Sequence, residues 1–69
     1  MESLEELANE IEAIEHRVTD AIFDMVRAQM RGDDADHAKE LERLLSRVRR
    51  SLQKAEHMLR RRDDGDTDA

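Results

Sequence analysis

Five polar residues in the second half of the chain recur at helical spacing and form a candidate ligand-binding stripe. Steps of 4, 3, 4 and 4 positions separate Glu42, Ser46, Arg49, Gln53 and His57. At about 100° per residue, they fall within a stripe about 80° wide on one face of a helix, with Arg50 close by. Carboxylate, hydroxyl, guanidinium and amide groups in a row can hydrogen-bond to phosphates and to base edges.

The first four residues of this stripe resemble the signature of a known family. Glu42-(X)3-Ser46-(X)2-Arg49-(X)3-Gln53 is similar to the motif E(X)3S(X)2R(X)3Q(X)3D of RsiG-type anti-sigma factors, and His57 stands where the motif has Asp. The resemblance implies that cyclic di-GMP binds here and that the partner is a WhiG-type sigma factor held away from RNA polymerase. Because the first half of the chain carries no second motif, the resemblance also implies the short type of the family, which homodimerises.

Other kinds of chemistry have little support in the sequence. The chain has no cysteine, and His16, His37 and His57 are too scattered to form a chelating pair. No nucleophile lies beside a base, and no glycine-rich phosphate loop is present. We therefore expect neither an enzyme nor a metal site.

The composition favours long helices with opposite charges. Charged residues make up 43% of the chain, proline is absent, and Phe23 is the only aromatic residue. Net charge is −6 overall, but residues 1–31 carry −5 and residues 38–62 carry +6. The basic segment suits an anionic ligand.

Helix one is predicted over residues 4–31. Its start is marked by a capping box from Ser3 to Glu6, and Gly32 is suited to end it. Apolar residues step by 3 and 4 and occupy alternating a and d heptad positions: Leu4, Leu7, Ile11, Ile14, Val18, Ala21, Met25 and Ala28.

Helix two is predicted over residues 38–62, after a turn at 32–37 and before a disordered acidic tail at 63–69. Its a and d positions follow the same steps: Ala38, Leu41, Leu45, Val48, Leu52, Ala55 and Leu59. The short linker predicts an antiparallel return, so the fold class is an all-α, two-helix coiled-coil hairpin.

Two pairings of the helices give apolar layers throughout. Within one chain, Met25 opposite Leu41 and Ile14 opposite Leu52 form a hairpin seam. Alternatively, helix two pairs with a second copy of itself, which places Leu41 opposite Leu59. A chain of 69 residues buries little apolar surface, so we expect a homodimer that forms a helical bundle.

Four apolar residues near the turn lie off the seam and are predicted to bind the partner: Ile22, Phe23, Val26 and Met30. They are alternatively core residues of a four-helix dimer. With no membrane span and no signal peptide, we expect a cytoplasmic protein.

Two other functions remain open. A Rop-like RNA-binding four-helix dimer would use basic residues on helix two: Arg43, Arg47, Arg50, Arg60, Arg61 and Arg62. The acidic net charge and the missing basic stripe on helix one argue against direct nucleic-acid binding. The remaining alternative is a structural coiled-coil adaptor without a ligand.

Overall fold

Two packed helices make up almost all of the computed structural model, which describes residues 3–63. Helix α1 spans Leu4–Arg31 and helix α2 spans Ala35–Asp63, and they form a hairpin. The predicted all-α hairpin is confirmed. Asp63, the first residue of the predicted tail, belongs to α2, and the rest of that tail lies outside the described residues.

The ends of α1 are closed by local hydrogen bonds, as the sequence predicts. Ser3 Oγ accepts from the Glu6 amide at 3.0 Å, and Glu6 Oε1 accepts from the Ser3 amide at 2.9 Å. At the other end, the Asp33 amide donates to the Ala28 carbonyl at 3.0 Å. Gly32 donates to Gln29 and adopts the left-handed conformation with φ of 78°. These bonds satisfy backbone groups that the helix itself cannot pair.

The turn is shorter than predicted, because α2 begins at Ala35 instead of residue 38. Asp34 adopts a positive φ of 46°, a conformation that aspartate tolerates better than most residues. Its carbonyl then accepts from the Ala38 amide at 3.0 Å, which closes the first turn of α2. Asp36, which lies within the predicted turn, therefore belongs to the first turn of α2, where its negative charge faces the favourable end of the helix dipole.

Side-chain hydrogen bonds join the two helices along one border of the seam. Gln29 donates to Glu42, and both residues occupy e positions. At the other end of the hairpin, Arg60 donates to Glu12, and both residues occupy b positions. The predicted hairpin register places the e residues of the two helices along a shared border, so these bonds agree with it, and the pairing of its apolar layers stays a prediction.

Few residues of the hairpin are fully buried, because two helices share only a narrow seam. Only Ala8 and Ala38 are buried in the described chain, at 0% and 4% exposure. Ile14 and Val48, both predicted seam residues at d positions, remain 42% and 38% exposed. The two-helix seam therefore leaves part of the d rows uncovered, while polar e residues pair across its other border.

The hairpin therefore has two different sides. What we call the polar side carries the e and b positions of both helices, including Glu12, Gln29, Glu42, Ser46, Arg49 and Arg60. What we call the open side carries the d and g positions, including the exposed apolar residues Ile14, Leu44, Val48 and Met58. Equivalent positions of antiparallel helices face the same way, so each side is continuous across both helices.

Candidate functional site

The predicted ligand stripe lies along α2 on the polar side. Glu42, Ser46 and Arg49 are half-buried beside α1, whereas Gln53 and His57 are exposed. Arg50, predicted to lie near the stripe, is exposed as well. The stripe therefore runs from the edge of the hairpin seam, near the turn, into open solvent.

Glu42 is held in place by α1. Gln29 Nε2 donates to Glu42 Oε1 at 2.7 Å and also to the Met25 carbonyl at 3.3 Å. The amide group is thus tied to its own helix while it holds the carboxylate of the other. A carboxylate oxygen has more than one acceptor site, so Glu42 retains capacity for a further donor.

Arg49 lies at the seam with part of its hydrogen-bonding capacity unused. Its side chain is half-buried, and Nε is buried without a hydrogen-bond partner. A buried donor without a partner costs on the order of 1–3 kcal/mol. A ligand oxygen that reached this guanidinium would therefore relieve an unfavourable feature of the free hairpin.

An open depression of about 470 Å³ lies on α2 at the turn end of the ligand stripe. Its lining is Glu42, Arg43, Ser46, Arg47 and Arg50. Three guanidinium groups around one carboxylate favour an anionic ligand that also offers hydrogen-bond donors. Glu42, Ser46 and Arg50 were predicted to lie in the ligand site. Arg43 and Arg47 were predicted only as RNA-binding residues, although their positions close to Ser46 in the helix could have indicated that they border the ligand site.

A second polar cluster lies further from the turn and was not predicted. The carboxyl groups of Glu15 and Glu56 meet across the helices, and Arg60 donates to Glu56 Oε2 at 2.7 Å. Arg60 also bonds to Glu12 Oε1 at 3.2 Å and Asn9 Oδ1 at 3.1 Å. Arg60 is therefore engaged within the hairpin.

The pKa values of the two carboxyl groups of this cluster are shifted in opposite directions. The hydrogen bond with Glu56 raises the pKa of Glu15, and partial burial raises it further. The same bond lowers the pKa of Glu56, and the bond from Arg60 adds to this. Glu15 Oε2 is buried and has no partner as a carboxylate oxygen. When Glu15 is protonated it can donate to Glu56, which is the direction in which both pKa shifts point.

The predicted partner-binding residues lie on α1, on the same side of the hairpin as the stripe. Ile22 and Val26 occupy e and b positions and are half-buried. Phe23 and Met30 lie further round the helix and are 56% and 81% exposed. The ligand stripe and the predicted partner patch are thus neighbours on opposite helices.

No protein-family model, curated protein or solved structure matches this chain. The resemblance to RsiG-type proteins therefore rests on the four matching stripe residues and on the helical hairpin. Within the described part of the chain, no three His, Cys, Asp or Glu side chains are grouped to hold a metal ion. Neither described helix is long and apolar enough to cross a membrane.

Proposed function

We propose that this chain is a cyclic di-GMP-responsive anti-sigma factor that acts in the cytoplasm. A homodimer binds cyclic di-GMP on α2 and sequesters a WhiG-type sigma factor from RNA polymerase. The observation that carries the proposal is the depression on α2, where Glu42 and Ser46 of the signature meet Arg43, Arg47 and Arg50. The remaining signature residues continue along the same border of the helix.

The residues around the depression match the chemistry of this ligand. Cyclic di-GMP presents two phosphates and two guanines. Arginine side chains bond to phosphate oxygens or to guanine O6 and N7, and their planes stack on bases. Glu42, oriented by Gln29, accepts from the guanine N1–H and N2–H₂ edge. Ser46 and Gln53 add phosphate or base contacts.

The unpaired donor of Arg49 also favours ligand binding. Its Nε lacks a partner in the free hairpin. Rotation of this side chain onto a phosphate oxygen gives Nε a charge-assisted hydrogen bond and ends the cost of the unpaired donor. His57 cannot accept two donors as the Asp of the motif does, so it contributes by stacking on a base.

The sigma factor docks on Ile22, Phe23, Val26 and Met30. Phe23 and Met30 already present exposed apolar surface, which a protein partner would cover. Because this patch lies on the polar side, a bound nucleotide sits next to the incoming protein. The ligand can then contribute contacts to the partner as well as to its own site.

Calorimetric titration with cyclic di-GMP tests the ligand assignment. We expect saturable binding by the wild type and at least tenfold weaker binding by Arg49→Ala and Gln53→Ala. Lys54→Ala is the matched control, since Lys54 is exposed and lies outside the stripe next to Gln53. Cyclic di-AMP, which has the same phosphates and different bases, should bind more weakly than cyclic di-GMP.

Two results would overturn the proposal in different ways. If the wild type fails to bind, even with a WhiG-type sigma factor present, the ligand assignment is wrong. If Arg49→Ala, Gln53→Ala and Lys54→Ala all bind as the wild type does, the ligand is right and the stripe is wrong.

A Rop-like RNA-binding dimer is the second candidate, because three arginines line the depression. Against it, Arg60 is engaged with Glu12 and Glu56 and is not free for phosphates. RNA binding that weakens steeply with salt, without cyclic di-GMP binding, would favour this function. Binding of neither would leave a structural coiled-coil adaptor.

A further inference from the structure

The open side of the hairpin leaves apolar residues uncovered. Ile14 and Val48 at d positions are 42% and 38% exposed, and Leu44 and Met58 at g positions are more exposed still. These four belong to both helices and face the same way. They account for most of the large apolar side chains that the described chain exposes, the others being Phe23 and Met30.

The hairpin needs this surface covered, because it has almost no interior of its own. No large side chain in the described chain is fully buried, and the buried residues are two alanines. Helical bundles reach stability by covering the d rows that a two-helix pair leaves exposed. A second hairpin on the open side supplies that missing layer.

The charges of the two helices favour a second copy as the occupant and favour one orientation of that copy. Residues 1–31 carry a net charge of −5 and residues 38–62 carry +6. Neighbouring helices in a bundle lie about 8–10 Å apart, which is close to the Debye length at physiological salt. Stacking α1 on the α2 of a second copy therefore pairs opposite charges twice.

We propose that two copies pack through their open sides, with the two-fold axis parallel to the helices. Both turns then lie at the same end of a four-helix bundle, and every neighbouring pair of helices is antiparallel. This inference rests on the homodimer of the proposed function, but on neither its ligand nor its sigma factor. An axis perpendicular to the helices would instead stack the basic α2 on itself.

The arrangement has a direct consequence for the ligand sites. The a positions of α2 are occupied by α1 within each hairpin, so α2 does not pair with its own copy. The polar sides of the two hairpins face outward in opposite directions. Each copy therefore carries a separate stripe, and dimerisation proceeds without the nucleotide.

The oligomeric state tests the surface. Without ligand, sedimentation equilibrium of the full chain should give twice the chain mass of 8.1 kDa. Ile14→Glu combined with Val48→Glu should give monomers, and Phe23→Glu combined with Met30→Glu should remain dimeric. A monomeric wild type, or dimers of both double variants, would overturn the proposal.

Cross-linking tests the orientation even if the first double variant fails to fold. The chain has no cysteine, so Arg17→Cys and Ser51→Cys, both exposed at g positions, each introduce a single thiol. A short thiol cross-linker should join the two variants after they are mixed and re-equilibrated. Neither variant alone should be cross-linked efficiently. Efficient self-cross-linking of Ser51→Cys would show α2 on α2 and overturn the stated axis.

These tests can refute the dimer interface without refuting the proposed function, and the reverse also holds. Dimers that do not bind cyclic di-GMP retain the interface and refute the ligand. Cyclic di-GMP binding by a monomeric wild type refutes the interface and retains the ligand. If dimers form only after a different protein is added, the open side is a docking site for that protein, and the second copy is the wrong occupant.

Discussion

Glu15 on α1 and Glu56 on α2 face each other across the hairpin as a pair of carboxyl groups. The pKa of Glu15 is raised by the hydrogen bond with Glu56, and the pKa of Glu56 is lowered by the same bond. Stability from the raised group is present below the ordinary glutamate pKa of 4.5 and is lost as pH rises through its folded pKa. Stability from the lowered group is present above that value and is lost as pH falls through its folded pKa.

The pair is therefore most favourable near the ordinary glutamate pKa and less so at neutral pH. Glu15→Gln keeps a hydrogen-bond donor for Glu56 without a second negative charge. We expect it to raise the melting temperature at pH 7 by about 3 °C, the size of one modest hydrogen bond in a domain of this length. Thermal unfolding followed by circular dichroism between pH 4 and 8 measures this.

Glu40→Gln is the control for that experiment, because Glu40 is exposed on α2. It should leave the difference in melting temperature between pH 5 and pH 7 unchanged, whereas Glu15→Gln should reduce it. A lower melting temperature of Glu15→Gln at pH 7 would mean that the charged form of Glu15 stabilises the hairpin.

The capping box should contribute measurably to stability. Ser3→Ala removes the acceptor of the Glu6 amide and is expected to cost about 1 kcal/mol. Urea unfolding measures the loss. Ser51→Ala is the matched control, since Ser51 is exposed within α2 and alanine favours helix. Equal losses in both variants would show that the bonds at Ser3 do not stabilise α1.

The stability lost on substitution of Gly32 is expected to depend only on how readily the new residue adopts the left-handed backbone conformation. A Cβ at this position meets nothing within 4 Å, so the cost of Gly32→Ala comes from its left-handed φ of 78°. We expect Gly32→Ala to lose about 1 kcal/mol and Gly32→Asn to lose less, because asparagine adopts this conformation more readily. Urea unfolding ranks the two variants, and a reversed ranking would contradict this account of the turn.

The bond between Gln29 and Glu42 should couple the two helices. A double-mutant cycle with Gln29→Ala and Glu42→Ala is expected to give a coupling of about 1 kcal/mol, since the bond is part-buried. The exposed pair of Asp24 and Arg27 on α1 is the comparison and should give less than about 0.5 kcal/mol. Coupling no larger than in this exposed pair would mean that Gln29 does not orient Glu42.

Local signals in the sequence were enough to predict α1 and both of its ends. Ser3, Glu6 and Gly32 act through bonds within a few residues, so their chemistry determines the helix limits. The start of α2 was less predictable, because Asp34 suits either a turn or a helix end. In the hairpin it adopts a positive φ of 46° and accepts from the Ala38 amide, which starts the helix at Ala35.

Residue types alone could not predict which side chains the seam covers. The heptad pattern predicts that both the a and d rows are covered, whereas Ile14 and Val48 at d positions remain exposed. The position of the seam on each helix also decides the exposure of the site residues. Glu42 and Arg49 are half-buried because their e positions border the seam, while Gln53 and His57 lie beyond it.

Two buried alanines have a consequence for how long a free copy survives. A hairpin with so small an interior opens often, and an open chain is a substrate for proteases. Any molecule that binds only the folded form lowers the open fraction by mass action. We therefore expect the half-life of the protein to lengthen with the occupancy of its binding surfaces, so that unbound copies are removed first.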